Sequence, residues 1–214
     1  MKIGILGTGD VGRALGRGFV ALGHKVMMGA RAAGNEKALD FVAKAGPNAA
    51  QGSFADAARF GEIVVLATLG SANEAALTQA GVENLVGKLI LDTTNPLDFS
   101  QGMPPKLFVG HTDSGGERVQ RLLPRSKVVK VWNTVGHAHM FQPDFPGGPP
   151  DMFIAGNDAA AKKQVATLLS DFGWNTVDSG GIESSRYLEG MCLVWVLHGV
   201  ATGSWNHAFK LLRK

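Results

Sequence analysis

The segment GTGDVG near the start of the chain is the first pattern that could carry chemistry, because Gly7, Gly9 and Gly12 have the spacing G-x-G-x-x-G. It follows the apolar run KIGIL and precedes a segment of helical length, which predicts a strand, a tight turn and a helix. Gly7 would permit the turn, Gly9 would let a pyrophosphate approach the backbone, and Gly12 would let the helix pack on the strand. The helix N-terminus would offer free N–H groups and a positive dipole end to phosphates. The loop therefore predicts a dinucleotide site.

Arg31 indicates which dinucleotide this loop would hold. NAD sites usually have Asp or Glu about 20 residues after the last glycine, where the carboxylate accepts hydrogen bonds from the ribose 2′-hydroxyl. In this sequence that place reads MMGARAAG, and Arg31 stands at the corresponding distance from Gly12. A carboxylate would repel a 2′-phosphate, whereas a guanidinium can bind it through two charge-assisted hydrogen bonds. The sequence therefore favours NADP(H).

Polar residues follow three later strand-like runs, and ligands of doubly wound folds bind at the carboxyl ends of strands. Small hydroxyl and amide side chains suit a ribose and a nicotinamide, and Asn95 and Thr134 are the preferred candidates for cofactor contacts. Caps of loops and turns are the structural alternative for the same residues. The three positions are Thr68 with Leu69 and Gly70, Thr93 to Asn95 before Pro96, and Asn133 with Thr134 before Val135.

His137 and His139 form an H-x-H pair, but no Cys, Asp or Glu cluster nearby completes a coordination sphere, so we expect no metal site. Either histidine could instead line a substrate pocket or donate a proton. Cys192 stands among apolar residues, and this setting predicts a buried structural thiol rather than a nucleophile.

The elements that must position these residues alternate short Val/Ile/Leu-rich runs with alanine-rich segments of helical length. This rhythm predicts an α/β fold with a doubly wound, mainly parallel sheet of the Rossmann type. We expect a dinucleotide-binding domain over residues 1–178 and a small C-terminal helical segment over 179–214 that closes the cleft. That segment reads as a serine-capped helix followed by a shorter one. The predicted strands are 2–6, 25–29, 63–68, 89–93, 127–132, 152–156 and 175–178.

Helix starts and one irregular loop complete the predicted architecture. Capping boxes are expected at Ser71 with Glu74 and at Ser114 with Glu117, and Asn157 or Asp158 is expected to cap a later helix. Residues 139–151 hold four prolines and two glycines, so they must form an irregular loop, either a functional lid or a flexible connection.

Composition excludes several classes of protein. The single cysteine excludes an intrachain disulfide, and the start of the chain lacks the apolar run of a signal peptide, so a cytoplasmic protein is expected. A net charge of +3 with scattered Lys and Arg argues against a nucleic-acid surface. No stretch approaches the roughly 20 apolar residues of a membrane span.

Together these motifs make the chain resemble the NADPH-dependent reductases of the deazaflavin coenzyme F420 and the wider group of bacterial NADP oxidoreductases that share their fold. The resemblance runs nearly end to end, through KIGILGTGDVG, GAR, IVVLAT, MFIAGND and SSRYLEGM. The segments LDTTNP and VVKVWN also resemble the cytosolic NADPH domain of the six-transmembrane ferric reductases.

The resemblance implies an NADP(H) site that runs from the first loop to the nicotinamide. Its phosphate end is Ala30 and Arg31, although related proteins often have serine where Ala30 stands. The implied contacts of the first loop are Thr8, Gly9, Asp10 and Val11, and those towards the nicotinamide are Leu69, Asn95 and the segment Asn133 to Val135.

The expected function is hydride transfer between NADPH and a flat redox acceptor, with coenzyme F420 favoured by the resemblance. Asn133, Thr134 and His137 are the candidates that would orient the nicotinamide or the acceptor. A free flavin, a quinone or a ferric chelate is the alternative acceptor, and a non-catalytic NADP-binding sensor is the alternative of another class. A homodimer is also expected through the apolar C-terminal helices, with Met191, Val194, Leu197 and Val200 available.

Overall fold

The computed structural model of the chain describes residues 1–212 and residue 214, and it has the predicted mainly parallel, doubly wound architecture. The strands are β1 (Lys2–Leu6), β2 (Lys25–Ala30), β3 (Ala49–Ser53), β4 (Ile63–Leu66), β5 (Leu89–Asp92), β6 (Leu97–Asp98), β7 (Lys106–Leu107), β8 (Lys127–Lys130), β9 (Asp151–Gly156) and β10 (Asn175–Asp178). The helices are α1 (Asp10–Ala21), α2 (Glu36–Ala45), α3 (Phe54–Phe60), α4 (Asn73–Ala80), α5 (Gly115–Leu122), α6 (Ala159–Asp171) and α7 (Ser185–Thr202).

Eight strands form one sheet in the order β10-β9-β8-β5-β4-β1-β2-β3. β8 and β9 pair antiparallel, and the other neighbours in this sheet pair in parallel. Successive connections lead from β1 to β2 and β3 on one side and to β4, β5 and β8 on the other. The order of strands therefore reverses between β1 and β4, which is where doubly wound folds leave a crevice for a ligand.

The two faces of the sheet are covered by separate apolar clusters. One contains Phe19, Trp132 and Phe172, whose rings pack on one another with centroids 4.8 to 6.3 Å apart. The other contains Leu6, Leu77 and further residues of α3, α4 and α5. Because both faces are covered, the central strands are apolar on both sides, and this explains why their sequences read as continuous apolar runs.

Sequence periodicity predicted each strand of the large sheet except β3. β3 has the sequence AAQGS, which has no β-branched or aromatic run, and it is held by parallel pairing with β2 at the sheet edge. The two-residue strands β6 and β7 form a separate hairpin that the sequence also did not predict. Residues between His139 and Asp151 are irregular, as predicted.

The helix starts confirm two of the predicted caps and correct one. Ser114 caps α5 by accepting a hydrogen bond from the Glu117 backbone N–H, but the Glu117 carboxylate accepts from the Ser114 hydroxyl and does not complete the predicted capping box. Asp158 caps α6 by accepting from the Ala161 backbone N–H. The capping box predicted at Ser71 is wrong, because residues 70–72 form a short 3-10 turn and α4 begins only at Asn73.

A second, shorter helix after α7 was also predicted, and this prediction is wrong. Gly203 adopts the left-handed conformation with φ 67° and ends α7, and no helix follows in the described residues up to 212. The tail instead bonds to the start of β9: the Asp151 backbone N–H donates to the Phe209 carbonyl, and the Leu211 N–H donates to the Asp151 carboxylate. These bonds hold the tail in an extended course along the start of β9. No helix of the described residues combines the length and apolar character needed to cross a membrane.

Candidate functional site

The three glycines of the first loop have three distinct environments. Gly7 has φ +129°, and a Cβ at this position would collide with the carbonyl oxygen of Ala67. A Cβ at Gly12 would collide with the carbonyl oxygen of Gly7. A Cβ at Gly9 would meet no atom within 4 Å, so the space in front of Gly9 is open. Gly7 and Gly12 therefore shape the turn, while Gly9 leaves room for a ligand to approach the backbone.

Helix α1 begins directly at this open space. Gly9 is its N-cap residue, and among residues 1–212 and 214 no side chain caps the first turn of α1. The first N–H groups of a helix have no partner within the helix, so they are available to an anion in front of Gly9. Thr8, Asp10 and Val11 flank this position, and the Asp10 side chain is exposed and ion-paired with Arg13.

The hydrogen bond from Arg13 lowers the pKa of Asp10, which burial alone would raise slightly. The 3-10 turn of residues 137–139 packs on α1, and His137 itself is exposed. The two candidate residues Asp10 and His137, distant in sequence, therefore share one region.

A cavity of about 290 Å³ adjoins the loop at the end of β2. Ala30 is buried there, whereas Arg31 is exposed and has no ion-pair partner among residues 1–212 and 214. Asn35 caps α2 at the far side of the cavity by accepting bonds from Lys37 and Ala38. The cavity is lined by Thr8, Ala30 to Asn35 and Phe54. It therefore joins the exposed guanidinium of Arg31 to the glycine loop, as a 2′-phosphate next to a pyrophosphate requires.

The other candidate residues lie beyond this cavity, at the carboxyl ends of neighbouring strands of the sheet. From β2 the order of neighbours is β1, β4, β5 and β8, and adjacent strands lie about 4.8 Å apart. Arg31 follows β2, Thr68 follows β4, Asn95 follows β5, and Asn133 follows β8. The structure thus places the candidate residues along one edge, with Arg31, the predicted 2′-phosphate contact, at one end and Asn133 at the opposite end.

Asn95 and Asn133 bond to each other at this opposite end. The Asn95 side-chain amide donates to the Asn133 carbonyl at 2.8 Å, and the Asn133 amide donates to Asn95 Oδ1 at 3.0 Å. The Asn133 amide also donates to the carbonyl of Leu188 in α7 at 2.9 Å. The Asn133 Oδ1 atom is buried and has no hydrogen-bond partner among the described residues. Asn95 is half-buried and is the member of the pair that lies nearer the surface.

Thr134 and Val135 follow Asn133 and are buried. Thr134 is 2% exposed, and its hydroxyl turns towards the sulfur of Met152 in the core. The Thr134 side chain therefore does not join the edge that Asn95 occupies.

Thr68 and Leu69 stand between the two ends of this line. Thr68 Oγ1 donates to Asn73 Oδ1 at 2.7 Å, and the Asn73 amide donates to Thr94 Oγ1 at 2.8 Å. Leu69 has a 75% exposed side chain, which is available to cover a ligand lying along the edge. Asn73, which the sequence analysis missed, fixes the Thr68 hydroxyl.

Three charged residues at the same edge were not predicted from the sequence. Asp92, Lys130 and Glu189 are each fully buried, and Lys130 Nζ lies 2.7 Å from Asp92 Oδ2 and 2.9 Å from Glu189 Oε1. The available signal was a lysine and an aspartate inside the apolar runs KVVKVW and LILDT, where a charge must have a partner when buried.

Cys192 is buried, and burial raises the pKa of its thiol to about 12. At neutral pH the thiol is protonated, so Cys192 is the structural residue that the sequence predicted.

Taken together, the described residues fit a bound NADP(H). The open space at Gly9, the uncapped start of α1 and the unpaired Arg31 are complementary to a pyrophosphate and a 2′-phosphate. The amides and hydroxyls at the ends of β4, β5 and β8 supply the hydrogen-bonding groups that a ribose and a carboxamide need.

Comparisons with known proteins agree with this geometry. Residues 2–96 match the family model described as NADP oxidoreductase, coenzyme F420-dependent. The F420-dependent NADP reductase of Methanocaldococcus jannaschii is 33% identical over 201 residues, which cover 88% of each chain. A solved structure from Arthrobacter sp. FB24, assigned as an F420-dependent NADP reductase, is 43% identical and superposes with a TM-score of 0.93 over 100% of both chains.

A longer protein also matches. The chain is 29% identical to the metalloreductase STEAP3 of Rattus norvegicus over 192 residues, which cover 90% of this chain and only 36% of the relative. The similarity concerns a part of that protein.

Proposed function

The chain belongs to the family of coenzyme F420-dependent NADP oxidoreductases, and on this basis we propose that it transfers a hydride between NADPH and coenzyme F420. Membership of the family makes the protein an NADP-dependent oxidoreductase. The choice of F420 as the acceptor is our proposal, supported by the name of the relative that matches 88% of this chain at 33% identity.

We assign the residues that would hold NADP(H) from the order in which the candidate residues lie along the carboxyl edge of the sheet. We assign the pyrophosphate to Gly7, Thr8, Gly9, Asp10, Val11 and Gly12, and the 2′-phosphate to Arg31 beside Ala30. Towards the nicotinamide we assign Thr68, Leu69, Asn95 and Val135. A bound dinucleotide would supply the hydride, so the task of these residues would be to bind and align it.

Alignment is the main catalytic task of this chain in the proposed reaction. Correct placement of two reactants can lower a barrier by roughly 7–11 kcal/mol in favourable cases. We propose that Asn133 and His137 orient the nicotinamide or the acceptor, and that Thr134 supports them from the core. Asn133 would act by fixing Asn95, Thr134 by filling the core behind the edge, and the exposed His137 by facing the acceptor.

The C-terminal segment 179–214 would close the nicotinamide end of the cleft over the dinucleotide-binding part formed by residues 1–178. Two contacts support this role: α7 receives a hydrogen bond from Asn133 through the Leu188 carbonyl, and it places Glu189 against Lys130. A flat acceptor would then lie between this helix and the sheet edge.

The single observation that carries the NADP(H) part of the proposal is the exposed Arg31, which has no ion-pair partner among the described residues and lines a cavity together with Thr8 of the glycine loop. The test is to mix the purified protein with NADPH and, in separate reactions, with F420, a free flavin, a quinone or a ferric chelate, and to follow NADPH oxidation by absorbance. We expect the highest kcat/KM with F420. Faster turnover of a flavin, a quinone or a ferric chelate would replace F420 as the acceptor, and tight NADPH binding without turnover of any acceptor would favour a sensor.

A homodimer and a cytoplasmic location are further parts of this proposal. Three apolar side chains of α7 support the dimer because Val194, Leu197 and Val200 are between 44% and 56% exposed. Light scattering after size-exclusion chromatography tests it, and Val194→Asp should shift the protein towards the monomer. The unpaired Cys192 agrees with a reducing compartment, and cell fractionation tests the location.

A further inference from the structure

Asp92, Lys130 and Glu189 form a buried charge cluster that the proposed hydride transfer does not itself use. All three side chains are 0% exposed. The ammonium of Lys130 contacts three acceptors: Asp92 Oδ2 at 2.7 Å, Glu189 Oε1 at 2.9 Å and the Thr94 carbonyl at 2.7 Å. The contact with Thr94 is a hydrogen bond, and the contacts with Asp92 and Glu189 are ion pairs.

Each carboxylate of the cluster has further donors. Asp92 Oδ1 accepts from the Thr94 backbone at 3.0 Å and from the Thr94 hydroxyl at 2.7 Å. Glu189 accepts from the backbone N–H groups of Gly115 and Gly116, both at 2.9 Å, at the start of α5. The positive end of the α5 dipole therefore stabilises the Glu189 charge.

The charge state of the cluster follows from these contacts. Burial lowers the pKa of Lys130, but the two carboxylates raise it by more, so the pKa lies above its ordinary value and the lysine stays charged. A buried ion pair is weak evidence for stability, since well-packed apolar residues often replace one without loss. The position of the cluster is more informative than its energy.

The cluster fixes the turn that carries Asn95. Thr94 precedes Asn95, and its carbonyl, N–H and hydroxyl are all bonded to Lys130 or Asp92. Asn73 connects the Thr94 hydroxyl to Thr68 at the end of β4. A continuous set of polar contacts thus runs from Thr68 through Thr94 to α7.

We propose that Lys130 is a positioning residue for the nicotinamide half of bound NADP(H), acting by holding the Thr94 to Asn95 turn against α7. This inference rests on the proposed function, because it uses the cofactor orientation given there. Arg31 and the glycine loop are contacted by none of the three charged residues. Changes in the cluster should therefore weaken the binding of the nicotinamide half of the dinucleotide and leave the binding of the adenosine half unchanged.

The test compares two ligands by isothermal titration calorimetry, NADP⁺ and adenosine 2′,5′-bisphosphate, which has only the adenosine half. The variants are Lys130→Met and Glu189→Gln, and the double variant K130M/E189Q restores the net charge of the cluster in case Lys130→Met fails to fold. Glu117→Gln is the matched control, since Glu117 also ties α5 to α7 through Arg186 but does not contact Thr94. Circular dichroism verifies that each variant is folded at the temperature used.

We expect the cluster variants to bind NADP⁺ at least about fivefold more weakly, with the bisphosphate within about twofold of the wild type. The control should bind both ligands like the wild type. Equal weakening of both ligands, or a lower Tm with unchanged affinities, would overturn the inference by showing a purely structural cluster. A wild-type protein that does not bind NADP⁺ would contradict the proposed function, and unaffected NADP⁺ binding in the variants would contradict only this inference.

Discussion

Asn95 and Asn133 hold each other through two hydrogen bonds of 2.8 and 3.0 Å between the ends of β5 and β8. The pair is asymmetric, because Asn133 also donates to the carbonyl of Leu188 in α7 and is 3% exposed. Asn95 is half-buried, so when the Asn95 side chain is removed, water can take its place as the hydrogen-bond partner of Asn133.

This asymmetry predicts unequal stability effects. Asn133→Ala should lower the free energy of unfolding by roughly 2–3 kcal/mol, because the carbonyl of the buried Leu188 and the Oδ1 atom of the half-buried Asn95 both lose their donor. Asn95→Ala should cost about 1 kcal/mol. Urea denaturation of both variants and the double variant measures the effect, and a larger loss for Asn95→Ala would show that Asn133 does not anchor α7.

Arg31→Met should weaken NADP⁺ binding selectively. A charge-assisted hydrogen bond contributes roughly 1.5–3 kcal/mol, which corresponds to about a 10- to 150-fold loss of affinity. NAD⁺ has no 2′-phosphate, so its affinity should change by less than about twofold. Arg125→Met is the control, because Arg125 is also exposed and pairs with Glu83 away from the cavity. Equal losses for the two dinucleotides would refute the phosphate assignment.

Substitutions of two glycines of the loop should have different effects: Gly9→Ala should mainly weaken ligand binding, and Gly7→Ala should mainly lower stability. Gly9→Ala should cost about 1 kcal/mol of stability or less, because its Cβ meets no atom within 4 Å, yet it should weaken NADP⁺ binding. Gly7→Ala should lower the Tm markedly, because φ +129° is strained for alanine by roughly 1–3 kcal/mol and the Cβ collides with Ala67. Thermal melts with and without NADP⁺ check both. A normal ligand-induced Tm shift in Gly9→Ala would show that phosphate does not approach there.

Glu117 should make stability depend on pH in the acid range. The hydrogen bond from Arg186 holds the pKa of Glu117 below 4.5, although burial opposes this. A lowered pKa stabilises the folded state above the unfolded pKa, and the contribution is lost as pH falls through the folded pKa. Glu117→Gln should therefore be less stable than the wild type at neutral pH, with a gap that narrows below about pH 4.5. Urea denaturation across this range measures it, and a gap independent of pH would exclude the ion pair as its cause.

Cys192 should resist thiol reagents in the folded protein. Its buried thiol has a pKa raised to about 12, so almost no thiolate is present near pH 8. A chromogenic disulfide reagent should react at the rate of unfolding in native buffer and at once in urea. Immediate reaction without urea would show that α7 opens readily.

Much of the dinucleotide-binding fold could be predicted from the sequence because its signals are local. The loop GTGDVG and the apolar runs of β1, β4, β5 and β8 depend on turn geometry and strand burial, which neighbouring residues determine. Arg31 was also predictable, since its distance from Gly12 is fixed by one helix and one strand. The strand β3 was missed because pairing with β2, rather than its own residues, makes it a strand.

Only the tertiary structure decided how the opposite end of the site is built. Lys130 contacts both Asp92 and Glu189, which are 97 residues apart in the chain (189 − 92). No local sequence pattern predicts contacts between residues so far apart. Thr134 was predicted at the edge, but its hydroxyl turns to Met152 in the core. The residues after α7 were predicted as a helix, yet they bond to β9. The sequence by itself determined the glycine loop and the position of Arg31, the proposed phosphate-binding half, because short-range geometry sets them. Long-range packing of α7 decided which side chains line the other half of the proposed site.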